Sequence, residues 1–203
     1  METLVDEAVM EVLRGGDGAT VRLFVAACAE RMAPLFVGLR AGAAGRETDV
    51  DFYAESVRDL WYADRPLSDA VERVRALERF PELQPRDEEV TDVAGTYTFF
   101  AALVLRYALL ANGSGSPADA VSCGHAALTA MGMLDQNVVG AGFRAQEHGL
   151  QARSVPGDAA GLWEASVEAG RERFRTVLGR TAGSSGRGHT TPNPGPTALS
   201  SGT

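Results

Sequence analysis

The stretch AGTYTFFAALVLRYALLA, residues 94–111, decides the fold, because nearly every position in it is apolar. A helix that is apolar on all sides is either buried in a protein core or inserted in a membrane. Arg106 near one end, threonines near the other and the lack of a flanking basic cluster favour a buried core helix. Asn112 and Gly113 follow directly, and this pair predicts that the helix ends there.

The segments on both sides of this central helix repeat apolar residues at steps of three and four, a spacing typical of amphipathic helices. Pro34 interrupts one such segment and predicts a kink or break near Ala33. In the last helix the spacing places Trp163 on the inward face. No stretch alternates with a period of two over a useful length. The sequence therefore predicts an all-α fold, an irregular bundle of six to eight helices around residues 94–111.

The apolar pattern also predicts the domain organisation. Residues 1–180 are expected to form a single all-helical domain, long enough to bury a core. From Thr181 onward glycine, serine, threonine and proline dominate. Residues 181–203 are therefore expected to be a disordered tail.

The charge balance limits the classes of partner. The 203 residues carry a net charge of −8, and the pI is near 4.9. This balance argues against nucleic acid and against an anionic membrane surface, since both attract cations. It leaves a basic protein partner open.

Residue usage further limits the chemistry. All 19 lysine and arginine residues are arginine, which excludes a lysine Schiff base and a Walker lysine. The two cysteines lie in apolar helical segments, and the N-terminal residues do not have the pattern of a signal peptide. These features predict a reduced, cytoplasmic protein.

Several short motifs occur in the order in which a known family has them. Residues 26–34, AACAERMAP, resemble the A-C-x-C-E-R-M-x-P segment of that family, and residues 59–61, 77–80 and 130–135 are similar to its later motifs. The chain thus resembles the YjaG-like proteins, a bacterial all-helical family without an established activity. The resemblance covers roughly residues 21–136 and implies a helical fold but no function. Ala29 replaces the second cysteine of the family, which weakens any redox or metal role near Cys28.

The sequence offers little support for metal or nucleophilic chemistry. The three histidines stand outside any recognised ligand spacing, so neither a metal nor a cofactor is predicted. Cys123 and His125 are two residues apart, and this spacing points them to different faces of a helix. The favoured interpretation is a packed cysteine beside a partly satisfied histidine.

The charged neighbours Glu30 and Arg31 lie in an otherwise apolar helix just before Pro34. We expect one of them to be partly buried against Asp59 or Asp135. A structural ion pair or a surface patch is the favoured interpretation, and a functional polar site formed by these four charged residues is the alternative.

Two functional hypotheses follow from the sequence. The first is a non-enzymatic helical interaction protein, an adaptor or immunity-like binder, that presents an acidic face to a protein partner. This face is assigned to Asp87, Glu88, Glu89 and Asp92.

The second hypothesis is a small-molecule enzyme or ligand-binding protein with a pocket between the central helix and its neighbours. Its lining is assigned to Trp61, Phe99, Phe100 and Met131. The identity of the partner or ligand and the oligomeric state stay open at this level.

Overall fold

The computed structural model describes residues 4–62, 65–85, 92–138, 140–155 and 159–184. The described residues form eight α-helices and one short 3-10 helix, and no strand occurs among them. In chain order the helices are α1 (Glu7–Gly15), α2 (Gly18–Arg40), α3 (Glu47–Tyr62), α4 (Ala70–Leu77), the 3-10 helix Pro81–Leu83, α5 (Val93–Ser114), α6 (Pro117–Asn137), α7 (Phe143–Arg153) and α8 (Ala159–Ser184). The predicted all-α bundle around a central helix is confirmed.

The last helix extends past the predicted domain boundary at residue 180. Helix α8 continues to Ser184. The rest of the predicted tail, residues 185–203, lies outside the described residues.

Helix α5 is the predicted central helix, and it packs against α2, α4 and α6. Asp92 caps its N-terminus by accepting a hydrogen bond from the backbone amide of Gly95. The helix ends at Gly115, whose φ of 68° is the left-handed conformation that glycine adopts without strain. The predicted end at Asn112 and Gly113 is therefore wrong.

The reason is that Asn112 and Gly113 contact α4 and the residues just before it. Asn112 is fully buried, and its Oδ1 accepts a hydrogen bond of 2.9 Å from the backbone amide of Leu67. Gly113 allows a close helix approach, since a Cβ at this position would lie 2.7 Å from the Cβ of Ala70. Contacts with other parts of the chain thus keep Asn112 and Gly113 helical, although this pair is typical of a helix end.

Helix α2 shares the centre of the bundle, because it packs against α3, α5, α6, α7 and α8. Of the kink or break predicted near Ala33, the break does not occur, since α2 runs unbroken through Pro34. A proline within a helix costs about 3 kcal/mol. Burial of Met32, Leu35 and Phe36 around it stabilises this part of the helix by about 1.5–3 kcal/mol for each side chain, which outweighs that cost.

A buried carboxylate fixes the 3-10 helix to the bundle. Glu82 forms ion pairs with Arg40 and Arg46, at 2.7 and 2.6 Å, and Arg40 also donates a hydrogen bond of 2.6 Å to Thr98 on α5. Burial opposes the charge of Glu82, but the hydrogen bonds from the two arginines outweigh it and lower the pKa of the carboxyl group. This cluster ties the end of α2 to the start of α5.

Helix α5 is also the one helix among the described residues that is long and apolar enough to cross a membrane, judged by length and composition alone. Half of the most apolar 18-residue stretch of this helix is buried inside the protein. Core helices of soluble proteins share this length and composition, so the property does not assign α5 to a membrane.

Candidate functional site

The most strongly buried charges lie where α2, α7 and α8 meet. Arg31 of α2 donates two hydrogen bonds to Glu147 of α7, Nε to Oε2 at 2.9 Å and Nη2 to Oε1 at 2.8 Å. Arg173 of α8 donates to the same carboxylate, from Nη2 to Oε2, at 2.7 Å. Gln151 Nε2 completes the set with a hydrogen bond of 2.9 Å to Glu147 Oε1. The two arginines and Glu147 have no exposed surface.

One buried carboxylate therefore faces two buried guanidinium groups. Burial opposes the charge of Glu147, but the attraction of Arg31 and Arg173 outweighs it and lowers the pKa of the carboxyl group to about 2. Burial also opposes both positive charges. The attraction of Glu147 prevails at Arg31, whose pKa is raised, whereas burial prevails at Arg173, whose pKa is lowered. Among the described residues Nε and Nη1 of Arg173 have no hydrogen-bond partner.

Sequence reasoning identified Arg31 but missed both of its partners. Glu147 lies 116 residues further along the chain, and no local spacing connects the two residues. Arg173 carried a usable signal, because it falls three residues after Gly170 and four before Val177, on the face of α8 that carries small and apolar residues. Arg173 and the network it completes hold three helices together inside the bundle.

The structure separates the four residues of the predicted polar site. Arg31 points into the network just described, so the expected contact with Asp59 or Asp135 is not formed. Asp59 is paired with Arg73 at 2.8 Å. Asp135 caps α7 by accepting hydrogen bonds from the backbone amides of Phe143 and Arg144, at 2.7 and 2.9 Å.

Glu30, the fourth of these residues, lies in a partly open cleft of about 560 Å³ between α3 and α8, with α2 at its base. Trp61 from α3 and Trp163 from α8 line the same cleft, so both tryptophans of the chain border it. Ala33 and Val57 contribute apolar surface. The volume lies within the range of about 300–1,000 Å³ that is usual for small-molecule sites.

The cleft contains a half-buried carboxylate held by an indole. Trp61 Nε1 donates a hydrogen bond of 3.0 Å to Glu30 Oε2. Burial raises the pKa of Glu30, while this hydrogen bond and the charge of Arg171 act in the opposite direction. The side chain of Glu30 therefore has a fixed position and a carboxylate whose solvation is reduced.

Aromatic side chains lie at the rim of the cleft. Tyr62 is 81% exposed and Trp163 is 48% exposed. The prediction that Trp163 faces inward is wrong, because Leu162 is the residue of this turn that is buried. Arg58 lines the cleft as well, and Glu55 and Asp59 lie 3.6 and 3.5 Å from its guanidinium group.

The structure does not bring the four predicted lining residues into one pocket. Trp61 lines the cleft just described, whereas Met131 is fully buried in the core. Phe100 lines a second groove of about 390 Å³ between α5 and α6, and Phe99 packs edge-on against Phe100 with a centroid distance of 5.3 Å. Phe100 is thus the one predicted lining residue of the central helix α5 that borders a groove described here.

Most of the predicted acidic face lies outside the described residues. Asp87, Glu88 and Glu89 belong to residues 86–91, which the structure does not describe. Asp92, the remaining member, is the N-cap of α5, as given above. The acidic face stays a prediction from the sequence.

The two cysteines are free, buried and part of the helix packing. Cys28 Sγ accepts a hydrogen bond of 3.2 Å from Arg31 Nη2, and burial raises the pKa of the Cys123 thiol. His125 Nδ1 accepts a hydrogen bond of 3.1 Å from the backbone amide of Leu4, so this ring nitrogen is already used. No group of three or more metal-ligating side chains occurs in the part of the chain that the structure describes.

No family model matches the chain, and no curated protein and no solved structure matches it either. The resemblance to the YjaG-like proteins therefore stays a prediction that rests on the motifs quoted above.

Proposed function

We propose that this protein binds a small organic molecule in the cleft between α3 and α8. The observation that carries the proposal is that Trp61, Trp163 and the half-buried Glu30 line one partly open cleft of about 560 Å³. Ligand sites combine mostly apolar lining with a few fixed polar groups that orient the ligand. Glu30 is such a group, since the Trp61 indole fixes its carboxylate.

Exposure of the rim aromatics supports the same function. Tyr62 and Trp163 are both exposed, and both line the same cleft. Exposed apolar surface that is contiguous and concave commonly marks a binding site, whereas single exposed side chains carry no such meaning. A ligand that covers these rings would remove this surface from water at a gain of about 25 cal/mol per Å².

A fragment screen with a cleft-filling control tests the proposal. Both tryptophans line the cleft, so intrinsic fluorescence reports on it without a label. We expect fragments that change the fluorescence and raise the melting temperature of the wild-type protein. Ala33→Leu places a larger side chain in the cleft and should abolish both effects. Ala152→Leu, the same substitution at an exposed position of α7, should preserve them.

Two outcomes would contradict the proposal. The first is that no fragment of a diverse library changes the tryptophan fluorescence of the wild-type protein. The second is that fragments bind equally well to the Ala33→Leu variant, since their site would then lie elsewhere.

A further inference from the structure

The ligand class follows from the charge and the ring chemistry of the cleft. We propose that the cleft recognises an organic ammonium cation, a quaternary or methylated amine, with Glu30 as its counter-ion and the aromatic side chains as its walls. This inference rests on the proposed function, because it names the ligand class of the same cleft.

The first observation is the state of the Glu30 carboxylate. Oε2 accepts the hydrogen bond from Trp61 Nε1, and no ion pair with Glu30 occurs among the described residues. The nearby charge of Arg171, an exposed residue of α8, acts on Glu30 without a direct contact. A carboxylate that is half-buried without an ion-pair partner gains from a cation supplied by a ligand, because the two charges attract more strongly away from bulk water.

The second observation is the chemistry of the walls. Trp61, Tyr62 and Trp163 line the cleft, and the electron-rich faces of such rings attract cations. The hydrogen bond from Trp61 to Glu30 lies in the plane of the indole, so it does not use the ring faces. Several aromatic walls around a carboxylate fit a methylated ammonium group, which has a positive charge and an apolar surface.

The third observation concerns the positive side chain in the lining. Arg58 could compete for Glu30, or it could bind a ligand carboxylate. Its guanidinium group already lies between Glu55 and Asp59, at 3.6 and 3.5 Å, and its side chain is 61% exposed. Arg58 is therefore paired at the rim, and Arg171, whose charge acts on Glu30, is not among the residues that line the cleft. Glu30 is thus the one charged lining residue that forms no ion pair among the described residues.

The experiment compares choline with the neutral alcohol in which carbon replaces the ammonium nitrogen. The two probes have the same shape, so the difference in affinity measures the charge. By titration calorimetry we expect choline to bind the wild-type protein at least about tenfold more tightly than the neutral alcohol. Glu30→Gln keeps an oxygen acceptor for Trp61 and should remove most of this difference while the neutral alcohol binds as before.

Two further variants separate charge recognition from general damage. Trp163→Leu, at the exposed rim, should weaken choline about fivefold and retain the wild-type melting temperature. Glu72→Gln removes one negative charge from an exposed position of α4 and should leave both affinities unchanged. If Glu30→Gln does not fold, the ratio of the affinities for choline and the neutral alcohol in Trp163→Leu still tests the assignment. Loss of an aromatic ring should weaken the binding of choline more than the binding of the alcohol.

Equal affinity for the two probes, or no binding of choline, would overturn the cation assignment. The fragment screen described above would then still decide whether the cleft binds small molecules at all. The failure of the ligand class and the failure of the proposed function are therefore separate results.

Discussion

Replacement of Glu147 by glutamine should destabilise this protein more than any other single conservative change to a charged residue in its core. The carboxylate faces Arg31 and Arg173 at 2.8 and 2.7 Å, and none of the three side chains is exposed. Glu147→Gln keeps the size of the side chain but removes the negative charge. Two guanidinium groups then remain in the core without a counter-charge.

The magnitude follows from the pKa of the carboxyl group. That pKa is lowered from 4.5 to about 2, and each pKa unit corresponds to about 1.4 kcal/mol. The carboxylate is thus stabilised in the folded state by about 3 kcal/mol relative to the unfolded state. Breaking a buried ion pair on one side costs about 3–5 kcal/mol, and we expect the loss in the free energy of unfolding to lie in this range.

Urea denaturation at pH 7, followed by circular dichroism, measures this loss. Glu168→Gln is the matched control, because its ion pair with Arg175 is about two-thirds exposed and such pairs contribute at most about 1 kcal/mol. Arg173→Met should cost less than Glu147→Gln, since the bidentate pair of Arg31 with Glu147 survives. A Glu147→Gln variant as stable as the Glu168→Gln control would refute the reasoning.

Three further outcomes are expected. Glu147 has a lowered pKa, so its contribution to stability is complete above about pH 4.5 and is lost as the pH falls toward 2. The free energy of unfolding, measured as a function of pH, should therefore fall more steeply in acid for the wild type than for Glu147→Gln. Gly38→Ala should lower the melting temperature, because a Cβ there would lie 2.4 Å from the Phe174 ring, whereas Gly149→Ala meets no atom within 4 Å and should raise it. Asn112→Ala should lower the free energy of unfolding by about 1–3 kcal/mol, since it removes the hydrogen-bond acceptor of the partly buried Leu67 amide. An unchanged urea midpoint would contradict this.

The helices could be predicted because their apolar spacing is a local property. Residues 94–111 are apolar on all sides, and this pattern alone placed the central helix. The errors occurred where distant packing competes with a local rule. Pro34 and Asn112 both carry a signal for a break or an end, and both are held inside helices by neighbours from other parts of the chain.

The candidate site could be predicted only in part, for the same reason. Glu30 and Arg31 were identified because charged residues stand out in an otherwise apolar helix, and Trp61 because it is a large aromatic residue. The partners of these residues are separated from them by 31 and 116 positions, so spacing could not assign them. The inward face of α8 was predicted one residue too late, because Leu162 is buried and Trp163 is exposed.

The central claim is that a small molecule binds between α3 and α8, and fluorine NMR of the protein labelled with fluorotryptophan tests it most directly. The chain has two tryptophans, Trp61 and Trp163, so the spectrum should contain two resonances, assigned by replacing each tryptophan with phenylalanine. Titration with a fragment found in the screen should shift both resonances with the same dissociation constant, because one ligand contacts both rings. Resonances that stay in place, or that follow different binding curves, would contradict the account.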